Sequence, residues 1–240
     1  VFANDDAGAP AWFVAARGHH ADVGGISPGS MPPASTTLAE EGVLIDNLLL
    51  VDEGRLCETE LRAVLASGAW PARDPDRNVA DLKAQVAACA RGARELRRIA
   101  DQQGRDMVDA YMAYTQDHAE SAVRALLGRL ADGEFVVPMD NGARIVVAVR
   151  IDRSARTATI DFTGTSKQAL DNFNAPLPVV RAAMLYVIRT LIDEPVPLNE
   201  GCLRPITLVV PQGCLLNPVP PAAVVAGNVE TSQAVTDALF

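Results

Sequence analysis

The chain has 240 residues, 49% hydrophobic and 21% charged, an ordinary globular composition with apolar material for one large core or two small ones. A net charge of −9 argues against nucleic-acid binding, which usually needs a basic face, and against an anionic membrane surface. No run of about 18 apolar residues occurs, so no membrane-spanning segment is expected.

In chain order, Val1-Phe2 reads as a strand end and Asn4-Asp5-Asp6-Ala7-Gly8 as a turn. With a helix cut off at Ala238-Leu239-Phe240, these residues predict a fragment truncated at both ends. Trp12-Phe13-Val14-Ala15-Ala16 is a short apolar run and predicts a buried strand over 11–16. A histidine- and glycine-rich loop follows to about Pro33. Val43-Leu44-Ile45 and 48–51 are further apolar runs, and Asp52-Glu53-Gly54 signals a turn. Residues 58–67 form a short helix candidate, ended by the breaker at 70–75. Two long helices are predicted next, over about 79–102, with Asp76 or Asn78 as cap, and over about 106–130. Their apolar stripes are Leu82, Val86, Cys89, Ala93, Leu96 and Ile99 on the first. On the second they are Met107, Tyr111, Tyr114, Val123, Leu126, Leu127 and Leu130. Together they predict an antiparallel helical hairpin over about 78–131. A β-hairpin is expected from 145–151 and 158–162, then a loop from Asp161 to Ser166, a helix over 179–192, a strand over 206–210 and a helix start at 228–233. The order of elements predicts an α/β class, a mixed α+β sheet domain with an inserted helical hairpin.

The densest chemistry lies in residues 17–32, RGHHADVGGISPGSMP. His19, His20 and Asp22 are residue types suited to a borderline metal ion or to acid–base work. In an extended run His20 and Asp22 share one face and His19 takes the other. One histidine could then bind a metal while the other binds substrate or backbone, with Asp22 behind a metal-bound imidazole. The competing reading is a polar loop whose histidines cap backbone groups. The glycines allow sharp turning or close approach to a ligand. Candidate substrate-binding residues here are Gly24, Gly25 and Ser30. Asp161, Thr163, Gly164 and Thr165 form either an anion-binding turn or simply a tight turn. Asn228 and Glu230 straddle a helix start, where anions bind readily; Glu230 is either an acid–base residue or a cap. His118 is expected on a packed helix face. The cysteines, Cys57, Cys89, Cys202 and Cys214, form no CxxC, which argues against a zinc knuckle and for reduced thiols in a cytoplasmic protein. No phosphate-binding GxxxxGK[ST] loop and no Gly-x-Ser-x-Gly elbow are present, so a serine hydrolase is not supported.

Gly18-His19-His20-Ala21-Asp22-Val23-Gly24-Gly25 with Pro28-Gly29-Ser30-Met31-Pro32-Pro33 resembles the signature of the hydantoinase B/oxoprolinase family. Further matching motifs follow in order: Glu41-Gly42-Val43, Arg73-Asp74-Pro75 with Asn78 and Asp81-Leu82, Asp161-Phe162-Thr163-Gly164-Thr165, Asn172, and Asn174-Ala175-Pro176. The likeness continues through Pro197-Leu198-Asn199-Glu200-Gly201, Pro211-Gln212-Gly213, Asn217-Pro218 and Gly227-Asn228-Val229-Glu230-Thr231-Ser232-Gln233, so it covers essentially the whole chain.

The resemblance implies an ATP-dependent cyclic-amide hydrolase that opens 5-oxoproline or a hydantoin. It would act with a hydantoinase A type ATPase partner that consumes the ATP and phosphorylates the amide oxygen. It also implies a divalent metal (manganese, magnesium or zinc). The ligand would be a histidine matching His19 or His20, completed by a His-x-x-Asp pair from a segment preceding residue 1. The fragment alone is therefore expected to be inactive. The expected catalytic residues are His19, His20, Asp22 and Glu230, with a metal or a histidine deprotonating water and backbone donors holding the oxyanion. The alternatives are a subunit of an ATP-dependent ketone carboxylase and a non-catalytic assembly module.

Overall fold

The computed structural model describes residues 10–240; the strand end and turn expected at 1–8 lie outside them. The elements in order are α1 (Leu38–Glu41), β1 (Val51–Asp52), β2 (Arg55–Leu56), α2 (Glu58–Leu65), α3 (Pro75–Gln103), α4 (Arg105–Leu127), β3 (Gly133–Pro138), β4 (Arg144–Asp152), β5 (Thr157–Asp161), α5 (Leu177–Thr190), β6 (Ile206–Val209) and α6 (Thr231–Leu239). Short 3-10 turns lie at Pro28–Ser30, Glu200–Leu203 and Val225–Asn228. The class is mixed α/β. The described residues fall into two compact units: one holds the chain up to Ser30 with Gly42–Met112, the other Met31–Glu41 with Ala113–Phe240. Helix α4 passes from one unit to the other.

In the first unit, α3 starts where Asp74 accepts from the Arg77 N–H at 3.1 Å and Pro75 occupies the first helical position. The cap is therefore Asp74, not Asp76 or Asn78: proline is pre-organised at that first position and leaves the residue before it to cap. Gly104, at φ 84°, separates α3 from α4. A small core of Leu61, Leu65 and Val79 packs with Ile45, Leu48, Leu50, Leu56, Ala72 and Leu82. The apolar runs at 43–45 and 48–51 thus serve as core loop. Only the two-residue ladder of β1 and β2 forms, around Glu53 and Gly54, both at positive φ, the backbone of a tight hairpin turn.

The strand expected at 11–16 is absent. Trp12 is buried and Phe13 is 85% exposed, an alternation a strand would also show, but the backbone here pairs with no neighbouring strand among the described residues. The segment instead runs backwards along α3. A Cβ on Gly92 would contact Val14, one on Gly18 would touch Gln85, and His20 reaches Asn78. Trp12 anchors it: its indole N–H donates to Asp109 at 2.8 Å, and Arg105 stacks 5.9 Å from the ring centroid.

The second unit carries a four-stranded sheet in the order β3-β4-β5-β6. The first three strands are antiparallel, and β6 runs parallel to β5. The β4–β5 turn is held by Asp152, whose carboxylate accepts from the Ser154 and Ala155 N–H groups. Ile145, Val147, Ala158 and Ile160 alternate along β4 and β5 and join one core with Val123 and Leu127 of α4, Val180 and Met184 of α5, and Val235 of α6. Strand β3 gave no sequence signal: Phe135 and Val136 are half exposed, and Pro138 closes it. On α4 the inward residues are Val108, Ala119, Val123, Leu126 and Leu127. Met107, Tyr111 and Tyr114 point outward, and so does His118, against the packed position expected for it. Val123, Leu126 and Leu127 are buried as expected; only in the N-terminal half of the helix is the stripe displaced, with Val108 inward in place of Met107, about 100° round the helix.

Candidate functional site

The histidine loop is built around a carboxylate. Asp22 accepts from the Gly24 N–H at 2.8 Å, from the Gly29 N–H at 2.9 Å and from Arg73 Nη1 at 2.9 Å. Burial pushes the Asp22 carboxyl up, and the hydrogen bonds from Gly24, Gly29 and Arg73 outweigh it, holding the group below its ordinary 3.8. The same guanidinium donates to the carbonyls of Gly24 and Gly25. Gly24 and Gly25 are buried, at φ 94° and 87°. A Cβ on Gly24 would lie 2.2 Å from the Trp70 carbonyl oxygen, and the Gly25 N–H donates to that same oxygen. These glycines are required for close approach of backbone to backbone, and their N–H groups are already engaged. The Ser30 hydroxyl is also used twice, accepting from the Val23 N–H and donating to the Gly24 carbonyl, both at 2.7 Å. Asp22, Gly24, Gly25 and Ser30 therefore shape the loop.

What the loop presents is the histidine pair. His19 is exposed. The His20 side chain is 16% exposed and lies against α3, with Nδ1 3.2 Å from Asn78 Nδ2 and 3.9 Å from Asp81 Oδ2. The Asn78 orientation is fixed from its other side: Nδ2 is 2.8 Å from the Asp22 carbonyl oxygen, which only accepts. Asn78 Nδ2 is thus the donor to His20 Nδ1, and the ring carries its proton on Nε2. Asn78 is buried, and its Oδ1 has no partner.

The other expected residues lie in the second unit. Asp161 accepts from the Thr163 N–H at 2.8 Å, an Asx-type turn following β5. The Thr165 hydroxyl is bonded on both sides to the Val146 backbone, at 3.1 Å each way. Gly164 supplies the positive φ of 97° that this turn needs. The arrangement is that of a tight turn in which Asp161 and Thr165 spend side-chain polar atoms on backbone, while the Thr163 side chain is exposed. Asn228 and Glu230 are exposed; Glu230 stands at the start of α6 but makes no side-chain capping bond.

Beneath them is a polar framework to which sequence reasoning gave no role. The buried Glu41 carboxylate accepts from the Ser35 hydroxyl and from the Val224 and Val225 N–H groups, all within 3.0 Å. It therefore closes the N-terminus of the 3-10 turn Val225–Asn228 from a distant segment. Asn174 donates to the carbonyls of Ala169, Asp171 and Ala223, and Asn172 donates to Pro32 and Ser35. Thr231 donates to the Phe173 carbonyl. The motif residues Glu41, Asn172, Asn174 and Thr231 are thus one interlocked scaffold for the segment bearing Asn228 and Glu230. The available signal was a polar residue within a motif that has no chemistry of its own.

Among the described residues, no group of three His, Cys, Asp or Glu side chains is placed to hold a metal ion. Both Asp22 oxygens are engaged, which leaves the His19 and His20 imidazoles as the available donors, fewer than a divalent ion needs. By themselves these residues do not fit a divalent ion.

Over residues 1–240 the sequence matches the family model described as hydantoinase B/oxoprolinase. It is 40% identical to the 5-oxoprolinase of Dictyostelium discoideum over 95% of this chain, which spans 18% of that protein. The fold is similar to that of the ATP-dependent caprolactamase from Pseudomonas jessenii, with a TM-score of 0.73, 25% identity, and coverage of 92% of this chain and 39% of that one. Nucleotide-free acetone carboxylase shares the fold, with a TM-score of 0.72 at 17% identity, covering 92% and 31% of the two chains. With the family model matched from end to end, the chain belongs to the hydantoinase B/oxoprolinase family.

Proposed function

We propose that this chain is part of an ATP-dependent enzyme that hydrolyses a cyclic amide, of the 5-oxoproline or hydantoin type. It would work with a hydantoinase A type ATPase, as a separate subunit or as a fused domain. The carrying observation is the 40% identity to a 5-oxoprolinase sustained across 95% of the chain. The caprolactamase, another ATP-dependent enzyme named for a cyclic amide, supports the same reading at the level of structure. The ketone-carboxylase alternative has a likeness of fold behind it and nothing more.

In this reading the partner activates the amide oxygen with ATP, and water adds to the ring carbonyl carbon. Collapse of the adduct breaks the carbon–nitrogen bond, the proton lost by water ends on the ring nitrogen, and a second water cleaves the resulting acyl phosphate to the carboxylate and inorganic phosphate. In this reading His20 meets the reacting amide. As the Nε2–H tautomer it acts as a fixed hydrogen-bond donor to the oxygen on which charge develops, rather than as the base expected for a histidine. Asp22 and Arg73 keep the loop rigid, and no step passes through a metal. The test is an assay of the full-length protein with its ATPase and 5-oxoproline. Glutamate formed in step with ADP supports the proposal. ADP release without ring opening, or turnover that requires bicarbonate, contradicts it.

A further inference from the structure

We infer that Asn78 is a positioning residue whose task is to fix the tautomer of His20. The assignment rests on the reading of His20 as an oxyanion donor and extends it. Three observations carry it. Asn78 lies one turn inside α3 and is 2% exposed, so its amide sits in a fixed environment. Its nitrogen bridges two acceptors, the Asp22 carbonyl at 2.8 Å and His20 Nδ1 at 3.2 Å. A flipped amide would set oxygen against the Asp22 carbonyl oxygen, so the backbone itself enforces the orientation. The third observation is the unpartnered Oδ1. A buried amide oxygen with no donor is costly. In Asn78 that oxygen stays unpaired while both N–H groups are spent on the histidine loop. Asp81, 3.9 Å from the same ring nitrogen, is the competing partner. A carboxylate there would draw the proton to Nδ1 and leave Nε2 as a bare lone pair, and Asn78 stands between the two outcomes.

The test uses the full-length protein. Diethyl pyrocarbonate reacts with an imidazole nitrogen that has a free lone pair, and peptide mapping reads His19 and His20 separately. At pH 8, His20 of the wild type should react more slowly than exposed His19. Asn78→Asp, which offers Nδ1 an acceptor, and Asn78→Ala, which removes the donor, should each speed His20 several-fold and leave His19 unchanged. This readout does not depend on the reaction assigned above, so it decides the inference even where ring opening is not seen. Kinetics supply a second arm. Asn78→Asp should lower kcat at least tenfold with KM little changed. In a His20→Gln background, where there is no tautomer to set, it should cost under threefold. Unchanged labelling of His20 in both variants, or an equal kcat loss in the two backgrounds, overturns the inference and makes Asn78 an ordinary packing residue.

Discussion

Asp22 Oδ2 and Arg73 Nη1 meet at 2.9 Å, joining residues 51 apart in sequence. The pair sets the shape of the histidine loop, because the same carboxylate holds the Gly24 and Gly29 N–H groups. The native carboxyl is held below its ordinary 3.8. Its stabilising contribution is therefore full above the unfolded-state value and lost as pH falls through the lower native value. Protection of the amides in 20–30, taken relative to their intrinsic exchange rates, should be high at neutral pH and fall below about pH 4. Asp22→Asn should show the lower protection already at neutral pH, with a local loss of about 2 kcal/mol. Equal protection in wild type and variant would contradict this.

Close approach, rather than chemistry, explains two motif glycines. A Cβ on Gly24 meets the Trp70 carbonyl at 2.2 Å, and one on Gly227 meets the Asn174 carbonyl at 2.1 Å. Gly24→Ala and Gly227→Ala should each cost more than 2 kcal/mol, since backbone must move. Gly54→Ala has open space and only its positive φ of 81° to bear, so it should cost about 1 kcal/mol. Thermal midpoints of the three variants check the order.

Glu41 makes the equivalent test in the second unit. Glu41→Gln leaves one acceptor oxygen for the Ser35 hydroxyl and the Val224 and Val225 N–H groups. It also turns an N–H₂ toward donors. A loss of about 2–3 kcal/mol is expected, seen as faster hydrogen exchange across 222–229 with α5 unaffected. Exchange spread evenly over the unit would show that Glu41 does not act locally.

Much of this was legible in the sequence, where pattern and burial agree. The β4–β5 hairpin followed from alternation at Ile145, Val147, Ala158 and Ile160, all of which face one core. Helices α2, α3 and α5 followed from periodicity and breakers. The failures have physical causes. Trp12-Phe13-Val14 has the composition and the in–out alternation of a strand, but the segment lies on α3 and, among the described residues, has no strand beside it to pair with. Strand β3 is an exposed edge with no core face to announce it. At the site, the histidines were visible as residue types. That Asp22, Ser30 and Thr165 spend their polar atoms on backbone was not visible, because those partners are set by turns and by residues far along the chain. Asn78 and Glu41 were seen as parts of motifs but not as the groups that orient them.

In the proposed reaction His20 supplies a hydrogen-bond donor from Nε2. Turnover of the full-length enzyme with His20→Ala, His20→Gln and His19→Ala tests it most directly. Losing one oxyanion donor typically costs about 100- to 1,000-fold in kcat. His20→Ala should fall by that amount, His20→Gln should keep a substantial part of the rate because its amide still donates, and His19→Ala should stay within about tenfold of wild type. Equal loss in His20→Gln and His20→Ala, or full activity in His20→Ala, would contradict the account.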